Sequence, residues 1–105
     1  MSFDCLEVAH EAVLSIGAIV RAVARFDRGL ADQMRRAAIS VVSNIDEAVG
    51  NSGARRVQHY RYALGSAREV TSQLRVACGW GYVADVGPQL ALLDRVRAML
   101  WRLTH

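Results

Sequence analysis

Apolar residues recur along this chain at spacings of three and four, in four runs separated by short polar breaks. That period stacks side chains on one side of an α-helix, so the pattern predicts four amphipathic helices. The first is expected from about Asp4 to Arg25, where Asp4 followed by Glu7 has the form of a capping box with Asp in place of Ser or Thr. The second is expected from about Gly29 to Val49, stopping at Gly50-Asn51, residues that tolerate left-handed geometry at a helix end. The third follows a Ser52 cap and runs to about Trp80, with Gly79 and Gly81 as breakers. The fourth follows Asp85 and Pro88, a pair suited to a helix N-terminus, and runs to about Leu103. Connections this short make sequential helices antiparallel neighbours. The expected fold class is therefore all-α, an antiparallel up-down-up-down four-helix bundle, with residues 1–105 as one domain.

The stripes differ in width. The second helix carries Leu30, Met34, Ala37, Val41, Ile45 and Ala48, and the third Tyr60, Ala63, Ala67, Val70, Leu74 and Ala77. Both read as bundle core, and their alanines predict close helix approach. The first helix spreads Leu6, Val8, Val13, Ile16, Ile19, Val20 and Val23 over roughly 200° of its wheel. Glu7, Glu11, Ser15, Arg21 and Arg25 fill the remainder. The fourth is similarly broad, from Leu90, Leu92, Leu93 and Val96 to Met99, Leu100, Trp101 and Leu103. One core needs an arc of only slightly more than about 100°. The surplus predicts a second partner, most simply another copy of the same chain, with Val8, Ile16, Ile19, Val23, Leu92, Met99 and Trp101 as the oligomer interface. Scattered surface hydrophobes are the alternative.

Composition narrows the function classes. Hydrophobic residues make up 52% and there is one proline, Pro88, which excludes a disordered chain and disfavours a β-sandwich. Mean hydropathy is +0.13, yet no run of eighteen apolar residues offers a membrane span. The start, Met1-Ser2-Phe3-Asp4, lacks the basic region and apolar run of a signal peptide, so a bacterial cytoplasm is the expected location. Cys5 and Cys78 are too few for a disulfide framework, and Cys78 reads as a small core residue.

Catalytic chemistry finds little purchase. His10, His59 and His105 sit in three separate places without a nucleophile at a useful spacing. Glu7 and His10 form one Glu-x-x-His pair, but a di-metal bundle needs a second. Gly50-Asn51-Ser52-Gly53 lacks the lysine and spacing of a P-loop. Neither a metal nor a cofactor is expected, and the chain is read as no enzyme. Asn44, with Asp46 and Glu47, puts polarity deep in the second helix, which predicts a hydrogen-bonded link between helices.

The basic residues are better organised. All thirteen are arginine, and the net charge is +3. Arginine's planar fork grips phosphate bidentately, although a GC-rich genome also replaces lysine with arginine. Arg61, Arg68 and Arg75 are seven apart, which puts them on one line opposite the apolar stripe of the third helix. Arg55 and Arg56 extend the charge to that helix's start, and Arg35 and Arg36 add a pair on the second. These seven are the candidate nucleic-acid-binding residues, gripping the backbone of RNA or DNA without reading bases. The alternative is a solvated outer face.

Two stretches carry a resemblance. Gln33-Met34-Arg35-Arg36-Ala37-Ala38-Ile39-Ser40-Val41-Val42-Ser43-Asn44-Ile45-Asp46-Glu47 resembles the second-helix signature of the 23S rRNA intervening-sequence protein family, also called the four-helix bundle protein family. Tyr60-Arg61-Tyr62-Ala63-Leu64-Gly65-Ser66-Ala67-Arg68-Glu69-Val70-Thr71-Ser72-Gln73-Leu74, followed by Gly81-Tyr82-Val83, is similar to its third-helix signature. The family usually has Ala at position 46 and Gly at 48, and often Pro at 42, where this chain has Asp46, Ala48 and Val42. Without that Pro the second helix is expected to be straighter. The resemblance implies an antiparallel bundle assembled as a ring-like homopentamer, without enzymatic activity. It also implies company: some members are encoded within 23S rRNA genes, and relatives serve diversity-generating retroelements as accessory variability determinants that bind nucleic acid and a reverse transcriptase. The leading expectation is a non-catalytic, oligomeric nucleic-acid-binding accessory or ribonucleoprotein component. The alternative is a ring-shaped protein-interaction scaffold that binds no nucleic acid.

Overall fold

A computed structural model describes residues 2–105, with side chains from Asp4 onward. Four helices account for most of it: α1 (Ser2–Ala24), α2 (Arg28–Val49), α3 (Gly53–Gly79) and α4 (Gly87–Thr104). At 1.5 Å per residue, the 27 residues of α3 span roughly 40 Å. The whole molecule measures 42 × 22 × 19 Å, one helix long and two helices across.

The helices pack in a closed cycle, α1 on α2, α2 on α3, α3 on α4 and α4 on α1. Cross-helix bonds show the direction. As the α3 partner advances from Arg56 to His59 to Ser66, the α2 partner retreats from Ala48 to Asn44 to Ser40. At one end, the connection after α1 meets the connection after α3 through Phe26 and Tyr82, whose rings stack 5.3 Å apart. The order is up-down-up-down, and the α1–α2 and α3–α4 grooves lie on opposite sides of the bundle.

Local chemistry accounts for the helix ends, partly as the sequence suggests. Asp27 caps α2, its Oδ1 accepting from the Leu30 backbone N–H at 2.9 Å. Asp85 Oδ1 accepts from the Gly87 N–H at 2.9 Å and leads into Pro88 in the first turn of α4. Three expectations need correction. Asp4 lies inside the first turn of α1, where its charge favours the helix dipole, because that helix begins at Ser2. Gly50 keeps a right-handed conformation (φ −81°), and the left-handed residues are Gly53 and Gly81, at 59° and 79°. Ser52 occupies the N-cap of α3 but makes no side-chain capping bond.

The core matches the narrow stripes. All six stripe residues named on α3 are buried, joined by Leu64. On α2, Met34, Ala37, Val41, Ile45 and Ala48 are buried with Ala31 and Ala38, while Leu30 is half-buried. The broad stripes resolve differently. Val8, Ile16 and Val23 are buried inside the bundle, so the structure corrects their assignment to an intermolecular seam. Each corner helix of a four-helix cycle has two neighbours, and α1 uses the centre of its arc for the core. Its shoulders, Leu6, Val13, Ile19 and Val20, pack half-buried against that core. Much of the 200° arc is thus spent within one chain. Among the described side chains of α1, Leu14 is a large apolar residue left exposed, at 79%, in line with Glu7 and Arg21.

Asn44 makes the expected interhelical link. Its Nδ2 donates to Ser40, at 2.9 Å to the carbonyl and 3.0 Å to the hydroxyl, and its Oδ1 lies 3.1 Å from His59 Nδ1. The Ser40 and Ser66 hydroxyls bond at 2.8 Å. Asp46 and Glu47, grouped with Asn44 by sequence, are exposed.

The two thiols differ. Cys5 is fully buried, and desolvation pushes its pKa up to about 11 against a smaller opposing pull from Arg102. Cys78 is half-buried rather than core, with Sγ 3.7 Å from the Ala84 carbonyl. Since the thiolate is the reactive form, native protein at pH 8 is expected to titrate with a disulfide reagent at Cys78 first and at Cys5 only on unfolding. Comparable rates for both thiols in the native state would contradict this burial.

Candidate nucleic-acid interface

The outer face of α3 is built by the same period that builds its core. With Tyr60, Ala63, Ala67, Val70 and Leu74 turned inward, the positions opposite them point to solvent. Arg61, Arg68 and Arg75 occupy those positions and are all exposed. Seven residues at 1.5 Å put successive guanidiniums about 10.5 Å apart along the axis. Among the described residues none of the three makes an ion pair; the pairs present are Arg35–Asp32, Arg36–Asp32 and Arg97–Asp94.

The remaining candidate arginines do not all join this line. Arg55 is exposed at the start of α3. Arg56 is engaged in the fold: its Nε donates to the carbonyls of Asn51 (2.8 Å) and Ala48 (3.2 Å), closing the C-terminal end of α2. Arg35 and Arg36 share one carboxylate, Asp32, at 2.8 and 3.0 Å. The hydrogen bond from Arg35 leads the causes that hold the Asp32 carboxyl below its ordinary value. Arg35 also lines the α1–α2 groove beside Val20, Ala38 and Ile39, on the side of the bundle away from Arg68 and Arg75. The seven arginines therefore divide into an unpaired α3 line of three, the exposed Arg55 at the start of that helix, a pair partly neutralised on α2, and a structural residue, Arg56.

A partner for the line comes from α4. Arg68 and Arg75 line one hollow of about 360 Å³ together with Thr71, Ser72, Asp94 and Arg97. Arg97 is half-buried, its Nη1 3.1 Å from Asp94 Oδ1, and its Nε is buried without a hydrogen-bond partner. Sequence reasoning missed Arg97 because α4 was read only for its apolar arc. The Asp94-Arg97 spacing of three was the available signal, but the groove it faces depends on how α3 and α4 meet. Trp101, expected at an oligomer seam, is 49% exposed and lines the adjoining hollow with Arg68 and Arg97. The other expected seam residues, Ile19, Leu92 and Met99, are half-buried against their own core.

Among the described residues no group of three His, Cys, Asp or Glu side chains gathers in metal-binding proximity. Nor is any helix long and apolar enough to cross a membrane.

The model of the 23S rRNA-intervening sequence protein family matches residues 1–102. The chain belongs to that family. Neither a curated protein nor a solved structure matches it. Membership in the 23S rRNA-intervening sequence proteins agrees with the four-helix architecture and spans all four elements, including the α3 line and Arg97.

Proposed function

We propose that this chain is a non-catalytic, oligomeric four-helix bundle that binds the phosphate backbone of nucleic acid, as an accessory component of a ribonucleoprotein assembly in the cytoplasm. The observation that carries the reading is the α3 line: three exposed arginines, free of carboxylate partners among the described residues, on a face the core does not use. Among the described residues no ion pair of the bundle uses this line, and phosphate is the ligand its fork fits best. The chain's charge of +3 is modest, but a homo-oligomer repeats the line in every subunit, so weak contacts add by avidity. A homopentamer, as the family resemblance implies, is the assembly we propose.

The exposed Leu14 favours a second reading, a ring that docks a protein partner. Salt separates the two. Gel-shift titrations of the wild-type chain on single-stranded RNA are expected to show log K falling linearly with log salt, with a slope of about −2 or steeper if three arginines per subunit each contribute about 0.7. Light scattering on the same sample is expected to give a multiple of the 11.5 kDa chain mass. No binding at low salt, or binding indifferent to salt, overturns the phosphate reading; a single-chain mass overturns the assembly.

A further inference from the structure

Phosphate contacts alone do not distinguish a duplex from a single strand. The α3–α4 groove carries a feature that does. Its first hollow presents three guanidiniums, from Arg68, Arg75 and Arg97, against one carboxylate, Asp94. Asp94 is already engaged by Arg97 Nη1. The Arg97 Nε–H is buried without an acceptor, so this guanidinium is not fully satisfied by the chain's own groups. A second hollow, of about 310 Å³, continues from the first by sharing Arg68, Asp94 and Arg97, and its wall is Trp101. The Trp101 ring is half-exposed, and it is held by stacking on the His105 ring, with centroids 3.3 Å apart and planes 16° apart. His105 Nδ1 in turn donates to the Trp101 carbonyl at 3.1 Å. A fixed, half-exposed indole thus sits one helical turn, about 6 Å along the axis, from a guanidinium with a free donor.

We propose that this groove is a subsite for single-stranded nucleic acid, with a phosphate held among Arg68, Arg75 and Arg97 and the adjoining base stacked on Trp101. The inference rests on the phosphate reading above and adds the substrate class to it. In a duplex the base faces are occupied by their neighbours, so an indole beside the backbone has nothing to stack on. In a single strand every base offers a face, whatever its identity. The subsite therefore selects strandedness and not sequence.

Anisotropy titrations of the full chain on a labelled single-stranded homopolymer and on a duplex of equal length test this, with light scattering on each sample. Trp101→Ala is expected to weaken single-strand binding about tenfold, at the lower part of the range for loss of one stacked base, and to leave duplex binding within about twofold. Trp101→Phe is expected to recover most of the loss, which guards against a folding defect. In a Trp80→Phe background the remaining indole, Trp101, is expected to be quenched by the single strand and not by the duplex. Equal effects of Trp101→Ala on both ligands, no effect on either, or dissociation of the oligomer by that substitution would each overturn the single-strand subsite. Those results leave the phosphate reading standing so long as the arginine substitutions still weaken binding. A wild-type chain that binds neither ligand removes both.

Discussion

Replacing Arg61, Arg68 and Arg75 together with alanine is expected to flatten the dependence of log K on log salt by about 2 per bound subunit for single strands, and by nearly 3 for duplex DNA. Every phosphate left without its arginine takes about 0.7 or 0.9 from that slope, because neutralising a phosphate is what releases condensed counterions. Three charges are removed per subunit, and in the proposed oligomer the loss repeats with every copy. The fold should survive, since all three side chains are exposed and face away from the buried row of Ala63, Ala67, Val70 and Leu74. A rival role is available for Arg68, pairing with Glu7 or Glu11 of a neighbouring subunit, since both carboxylates are exposed. That role shifts the mass distribution and leaves affinity per assembled ring unchanged. Unchanged affinity and slope in an intact oligomer would refute the binding role of the line.

Leu74→Ala is expected to cost about 2–5 kcal/mol of stability, the range for a buried leucine whose cavity only partly collapses. Leu74 is fully buried on the core side of α3. For a domain of this size each kcal/mol lowers Tm by roughly 4–8 °C, so a fall of about 10 °C or more is the expected reading in a thermal melt. Leu14→Ala supplies the contrast. At 79% exposure the same chemical change should stay within about 0.5 kcal/mol. Similar losses at both sites would mean that Leu14 is covered in solution, which would itself locate a seam between subunits.

The fold was legible because four periodic stripes and their breakers are local signals. The α3 stripe from Tyr60 to Ala77 is buried residue for residue, and the helix boundaries move by no more than two residues. What went astray depended on tertiary neighbours. Val8, Ile16 and Val23 looked like surplus on an isolated wheel, but a helix at the corner of a bundle buries more of its circumference than a helix lying on one surface. The α3 arginine line was readable for the same reason as its core, being the complement of the stripe. Arg56 could not be assigned from spacing, because the Ala48 and Asn51 carbonyls it meets belong to the helix before it and the turn between them. Arg97 and Trp101 required the pairing of α3 with α4, which no single-helix period contains.

The hydroxyl and amide chain that joins Ser40 and Asn44 to Ser66 and His59 lies beside a core to which α2 and α3 contribute alanines alternating with larger apolar side chains. The larger side chains there, Met34, Ile45, Tyr60 and Leu74, already resist a slip of one helix past the other, while the alanine methyls, small and alike, add little to the choice of register. The polar chain adds a directional constraint to that packing, since a one-turn slip would part its donors from their acceptors. It works as a latch that belongs to α2 and α3 together and to neither alone. The hairpin from 28 to 79 is therefore a natural unit of exchange among bundles of this kind: moved whole, it brings its alignment with it, and cut at the turn between 49 and 53, it leaves both halves without one.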